Sequence, residues 1–532
     1  MHTLSIAALQ EKLGASTRVQ ELCRAFGDGR FPLEIEACEG AFAGLLLARF
    51  AGETAPGGAG GAAGPFLAVT PTEAEAARLA CDAAAAGLAV TVFPWWGTIP
   101  YREAAPNAAV FGERAACLAA LLRGGAERAK GPPRLFIACE CAFLGTLPPP
   151  AYFDSLLTTL RTGDACDPQA LSEKLVLAGY LRVPRVQAPG EFTLRGEVCD
   201  LLQAGGGGLA CRVLLDFDRI ESIRTFDPLN QISQEKVDEI TIYPMKEVVW
   251  TDDRIDALSE TLAHCDEFSE GGGRVLESLI NRKSMPGEEL FFPLAFGGVD
   301  GGRWTVDGSE ARDEKTAPAP RAPSPKSQVP SPNRHQAPPM PPLKAPASRP
   351  HSPLPTPYSL LDYLPPQGVV FFFDRERLDN AQDLIERDYK KAYAQARREK
   401  EVPAPQRLLL NLPSLAAERP RRVSFMGMKG PAREGALRLS AGCEPARSFF
   451  GNINYMREEF TALLAEGWDI AAAAESDAQA LRIRTLLESD TFSPQGGGGG
   501  FRGQRPLGGG GGAQRSAPQG GGSPPHTDVR AL

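Results

Sequence analysis

GYLRVPRVQAPGEFTLRGEVCDLLQAG runs from Gly179 to Gly205, and RVLLDFDRIESIRTFDPLNQIS from Arg212 to Ser233. No other part of the chain is as dense in paired strand and turn signals. Val183, Val186, Phe192, Leu194, Val198 and Leu201 stand apolar among polar neighbours, close to the period of two that half-buried strands show. Pro189-Gly190 and the glycines from Gly205 to Gly208 punctuate the run as turns. The outward slots carry Arg182, Arg185, Arg195, Arg212, Arg219 and Arg224. The pattern predicts a small twisted sheet with arginines on one side. Such a face suits an acidic or carboxylate-rich partner. The guanidinium fork makes two-point contacts with carboxylates, and arginine is enriched among the residues that dominate interfaces.

Outward from this stretch the pattern changes. Residues 1–157 read as α/β. Phe66 to Thr70 is a short buried strand, and Thr72 with Glu75 forms a capping box for a helix running to Gly87. Further strands are expected at Leu33 to Ala37, Ala89 to Phe93 and Leu135 to Cys139; strand–helix–strand spacing of this kind predicts parallel crossovers. Residues 158–245 form the arginine-bearing α+β module, and 246–302 return to helical patterning. Residues 303–357 are rich in proline and are expected to be an extended, disordered linker. Residues 358–404 carry a strand from Gly368 to Asp374 and a long charged helix from Leu378 to Lys400. Residues 405–493 read as a small α/β domain with strands near Arg422 to Met426 and Trp468 to Ala473. Residues 494–532 are glycine-rich and read as a disordered tail.

The 532 residues leave room for three or four domains of roughly 150 residues each. A net charge of −8 argues against a generally basic nucleic-acid binder, although not against a local basic face. No run approaches the ~20 apolar residues of a membrane span. The first residues, MHTLSIAALQEKLG, read as an amphipathic helix rather than a secretory leader. The eleven cysteines are scattered, with only Cys139 and Cys141 close together, which suits reduced thiols in a cytoplasm. Neither they nor the five histidines have metal-ligand spacing, so no metal is expected.

GEFTLRG (Gly190 to Gly196) and RVLLDFDRIESIRTFDP (Arg212 to Pro228) resemble the UvrA-interaction domain shared by UvrB and the transcription-repair coupling factor (Mfd) family. FLAVTPTEAEAARLA (Phe66 to Ala80) and FPWWGTIPYREAAPN (Phe93 to Asn107) resemble the first UvrB-like domain of that family. GNINYMREEF (Gly451 to Phe460) and AAAAESDAQALRIRTLL (Ala471 to Leu487) resemble the domain that follows. The resemblance implies a multidomain α/β fold: a degenerate RecA-like UvrB-type domain, an inserted small α+β UvrA-interaction domain and a further small α/β domain. It implies UvrA as partner, with Arg195, Arg212, Phe217, Glu191 and Arg224 as contact residues. Family members place an aromatic at the position aligned with Asp216. Phe217 falls one residue later, and a one-residue shift in a strand flips the face, so Phe217 reads as either contact or core. Gly190 and Gly196 read as turn or bulge formers, and Asp200 as a residue holding the strand pair.

UvrB carries a phosphate-cradling loop near its start. The corresponding place here is Glu39-Gly40-Ala41-Phe42-Ala43-Gly44-Leu45-Leu46. Leu45 and Leu46 replace the lysine and hydroxyl that phosphate and magnesium need, and Glu39 adds negative charge. No ATPase activity and no cofactor are expected; ATP belongs to full-length relatives. Phe371 to Glu376 is similar to a magnesium-binding strand, but reads as a buried strand ending in a surface acid. Trp95 and Trp96 read either as packing between domains or as a stacking platform for DNA. The chain is expected to end before the RNA-polymerase-interaction and motor domains of the family, so RNA polymerase would be reached only through domains absent here. The function implied is UvrA recruitment in the cytoplasm. The alternatives are a DNA-binding accessory module or one part of a split translocase.

Overall fold

A computed structural model describes residues 6–38, 40–53, 65–102, 108–123, 134–205, 208–263, 268, 272–283, 285–296, 357–427, 433–443, 452–468, 470 and 476–488. The expected tail, the expected linker except Pro357, Glu39, and most of the expected strand at 468–473 lie outside these residues. The described residues divide into two compact units, one within Met1–Ala63, Arg78–Ala89 and Val423–Leu532, the other within Gly64–Ala77 and Val90–Arg422.

In the first unit the strand Leu33–Glu36 lies between Arg422–Met426 and Leu437–Ser440, parallel to both. Leu33 and Ile35 are fully buried. Glu34 and Glu36 alternate to the other side, where Arg438 donates to both carboxylates, Nε at 2.9 Å to Glu34 and Nη1 at 2.9 Å to Glu36. The helices Thr17–Gly27 and Phe42–Glu53 pack together, with Phe26 and Phe50 stacked at 4.3 Å between ring centroids.

The second unit contains strands in the order Val369–Phe372, Phe66–Thr70, Arg134–Cys139 and Ala89–Phe93, of which the first three are mutually parallel. The three parallel strands read FLAVT, RLFIAC and VVFF and are buried almost throughout. Continuous apolar strands are what a parallel sheet covered on both faces demands. Thr72 caps the following helix as expected, its hydroxyl accepting from the Glu75 N–H at 3.2 Å. The charged helix Arg375–Ala396 begins three residues earlier than its periodicity predicts. The 246–302 segment is helical over Asp252–Ala263, Gly273–Ile280 and the 3-10 stretch Glu288–Phe296, around a core containing Trp250, Phe291 and Phe292.

A separate six-stranded sheet holds the stretch quoted at the outset. Its order is Ser233–Val237, Arg219–Phe226, Ala210–Asp216, Val198–Leu202, Glu191–Arg195 and Leu181–Arg182. All neighbours are antiparallel except the last pair. One face buries Phe192, Cys199, Leu201, Cys211, Val213, Leu215, Ile220 and Ile223. It packs on Leu171 and Leu175 of the helix Pro168–Leu177 and on Leu160, Ile240 and Ile242 of a two-stranded ribbon. Asp167 starts that helix by accepting from the N–H groups of Gln169 and Ala170, with Pro168 in the first turn.

Val198 does not share the core face with Leu201, because they lie three positions apart along the strand and an odd offset reverses the side. Cys199 takes the core position, and Val198 lies on the arginine side, paired across the sheet with Arg195 and Leu214.

Candidate protein-interaction face

Cross-strand pairing places Thr193, Asp200, Arg212, Arg224 and Lys236 in one row over the open face. Directly opposed residues on neighbouring strands point to the same side. A second row holds Arg195, Val198, Leu214 and Ser222. Three cations therefore stand next to one another, Arg212, Arg224 and Lys236, with Asp200 the one carboxylate in the row. Like charges directly opposite each other destabilise a sheet, so the row favours an external carboxylate.

The expected contact residues separate into different roles. Arg195 and Arg224 are exposed and engage no partner among the described residues. Arg212 does not project freely as the sequence suggests. Its Nε and Nη2 donate to Asp200 at 2.7 and 2.9 Å, and its Nη1 donates to the Ser233 hydroxyl at 3.1 Å and the Gln231 carbonyl at 3.3 Å. Its guanidinium also lies 5.2 Å from the Phe226 ring centroid. The Asp200 carboxylate raises the affinity of Arg212 for its proton. The arginine is drawn inward because Asp200, only 7% exposed, needs a partner. Glu191 is likewise engaged locally, accepting from the backbone N–H groups of Gln187 and Ala188 at 2.8 and 2.9 Å. Arg182, Arg185 and Arg219 each donate to a backbone carbonyl.

Phe217 is not core: it is 81% exposed. It opens the two-residue turn between Asp216 and Arg219, with φ +57°. The neighbouring turn, between Arg195 and Val198, puts Gly196 at φ +60° in the corresponding position. Glycine adopts this conformation freely, whereas a phenylalanine there is strained. The Glu197 carbonyl accepts from the Leu215 N–H at 2.8 Å, so both turns lie at one end of the sheet. Arg195 and Phe217 share that end, while Arg212 and Arg224 sit further along the strands.

The other sequence candidates take structural roles. Gly40 has φ +56° and is exposed, while Gly44 lies in the helix Phe42–Glu53. A Cβ at Gly44 would fall 2.7 Å from the Asp82 carbonyl carbon, so this glycine permits close packing of two helices. Leu46 is buried, and the Leu45 carbonyl accepts from Gln10 at 3.1 Å. Asp374 has φ +50° and pairs with Arg377, which also binds Glu75 at 2.6 Å. Trp96 donates from its indole N–H to Glu247 at 3.0 Å. Glu247 also pairs with the buried Arg114, whose guanidinium lies 4.1 Å from the Phe93 ring centroid. This cluster joins the loop after Phe93 to the helix Ala108–Arg123, and its key residues, Arg114 and Glu247, carry no distinctive sequence spacing. Lys236 was also invisible in the sequence, because QEKVDE reads as a solvated charged run and only the pairing places Lys236 beside Arg224. Among the described residues there is no cluster able to hold a metal, the cysteines are free, and no helix is long and apolar enough to cross a membrane.

Residues 158–248 match the UvrB interaction domain family. The transcription-repair-coupling factor of Borreliella burgdorferi is 35% identical over 138 residues, 26% of this chain and 11% of that protein. The Haemophilus influenzae transcription-repair-coupling factor is 30% identical over 234 residues, 43% of this chain and 20% of its own length. The UvrABC system protein B of Acinetobacter baylyi is 34% identical over 128 residues, 24% of this chain and 19% of that protein. The matches thus span a fifth or less of these relatives. With its parallel α/β strands and a separate arginine-faced sheet that matches the UvrB interaction domain, the chain resembles the transcription-repair-coupling factors and UvrB over part of their length.

Proposed function

We propose that this chain binds UvrA through the open face of the six-stranded sheet, and so recruits nucleotide excision repair to stalled transcription in the cytoplasm. The row Arg212–Arg224–Lys236, balanced by Asp200 alone, carries the reading. It supplies the positive surface on which an acidic partner would dock. The match to the UvrB interaction domain and the names of the coupling-factor relatives support UvrA as that partner. Residues 40–46 support a binding role without ATP, because the positions that would serve phosphate and magnesium are leucines and Gly44 is used for helix packing. The packed Trp96 favours a protein partner over DNA.

Titration of purified UvrA against the full chain tests the reading. Arg195→Ala with Arg224→Ala should weaken binding by about 2 kcal/mol without lowering the thermal midpoint, since neither side chain has a partner among the described residues. Absence of binding by the folded wild type, or undiminished binding by the double variant, would reject it.

A further inference from the structure

The loop Asp227-Pro228-Leu229-Asn230-Gln231-Ile232, between the strands Arg219–Phe226 and Ser233–Val237, exposes two large apolar side chains. Leu229 is 86% exposed and Ile232 63%. The backbone beneath them is nonetheless tightly held. Asp227 accepts from the Leu229 N–H at 2.8 Å and from the Asn230 amide at 2.7 Å. Asn230 accepts from the Ile232 N–H at 2.9 Å, and the Gln231 amide donates to the carbonyls of Val186 and Pro228 at 3.0 and 2.7 Å. Two arginines hold the loop from outside it: Arg185 donates to the Leu229 carbonyl at 2.9 Å, and Arg212, on the strand Ala210–Asp216, to the Gln231 carbonyl at 3.3 Å. A segment built to hold an exposed leucine in one place loses little conformational freedom on binding.

We propose that Leu229, with Ile232 beside it, is an apolar anchor that enters a carboxylate-rimmed apolar pocket on UvrA. The charge around the loop selects that occupant. Arg185 is exposed at the loop itself, and Arg224 and Lys236 oppose each other on the two strands that the loop connects. Two acids near the loop are already engaged, Asp227 within the loop and Asp200 on Arg212. An apolar centre with a cationic rim fits the general arrangement of a buried hot spot inside a charged border. Arg212 then acts as a positioning residue, holding the Gln231 carbonyl while its remaining donors are spent on Asp200 and Ser233.

The proposal rests on the UvrA reading, and the full chain tests the two separately. UvrA binding is measured for the wild type, Leu229→Asp, Ile232→Asp and the control Leu384→Asp, which alters a leucine 59% exposed on the helix Arg375–Ala396, outside that sheet. The thermal midpoint and sedimentation behaviour are recorded for each. The wild type should bind, Leu229→Asp should lose about tenfold or more in affinity, Ile232→Asp should lose less, and Leu384→Asp should stay within about twofold, with the midpoints of the two loop variants unchanged. Leu229→Asp binding as tightly as the control would overturn the anchor while leaving the UvrA reading intact. A wild type that does not bind UvrA removes both. A self-associated wild type that Leu229→Asp turns into a monomer would assign the loop to a second copy of this chain and overturn the proposal.

Discussion

Glu140 is fully buried at the end of the strand Arg134–Cys139, and neither carboxylate oxygen has a hydrogen-bond partner among the described residues. Burial raises its pKa from 4.5 to about 8, with Asp379 adding repulsion and Arg375 opposing the shift. Arg375 gives Glu140 limited relief because it is bound to Asp379 at 2.8 Å. The protonated form is therefore the one the fold accepts. A carboxyl whose pKa is higher in the folded than in the unfolded state contributes stability that is complete below 4.5 and is lost as pH rises through about 8. Chemical denaturation should accordingly show a wild type less stable near the upper end of that window than near its lower end. Glu140→Gln should reduce this slope and raise stability at the alkaline end by on the order of 1 kcal/mol. An unchanged slope in the variant would mean that the carboxyl is solvated or paired. Arg212 is a contrasting case at the same scale. Removing it would strand Asp200, so a binding defect in Arg212→Ala would mix lost contact with lost structure, and Arg195 is the cleaner probe.

The two adjacent hairpins differ in how they turn. Gly196 and Phe217 occupy corresponding positions at φ +60° and +57°, and Phe217 is also 81% exposed. The aromatic side chain thus gains little within the fold from a backbone conformation that disfavours it by about 1–2 kcal/mol. Phe217→Gly should raise the stability of the chain by up to about 1 kcal/mol, read as a higher thermal midpoint, while lowering UvrA affinity. A lower midpoint would mean that Phe217 packs against the fold after all. These hairpins were legible in the sequence because their information is local: alternation, and turn residues such as Gly196. The faces were less legible. Val198 and Leu201 both looked inward until the pairing of Cys199 with Leu194 showed which parity is buried. The strand Arg422–Met426 could be read from its residues, but not its parallel register against Leu33–Glu36, because no local signal specifies a pairing between segments so far apart. The inward turn of Arg212 was illegible for a related reason, since Asp200 becomes its neighbour only across the strand pair.

The whole molecule carries a net charge of −8, yet the proposed binding face is positive. These two facts make opposite predictions for an acidic partner. If net charge governed encounter, screening by salt would relieve repulsion and speed association. If the local face governs it, salt would screen attraction and slow association. At ~0.1 M ionic strength the screening length is about 10 Å, so charges on a docking face act at contact while the rest of the surface is largely hidden. Charged rims act mainly on the association rate, whereas well-packed apolar anchors set dissociation. Raising ionic strength from roughly 0.05 to 0.3 M should therefore slow association with UvrA several-fold and change dissociation little. Arg195→Ala with Arg224→Ala should associate slowly at every salt concentration and respond less to salt, while Leu229→Asp should keep the salt response and dissociate faster. Stopped-flow or surface-plasmon measurements separate the two rates. Association that speeds up with salt in the wild type would show that the acidic bulk of the chain outweighs its arginine face, and the docking geometry proposed here would then be wrong.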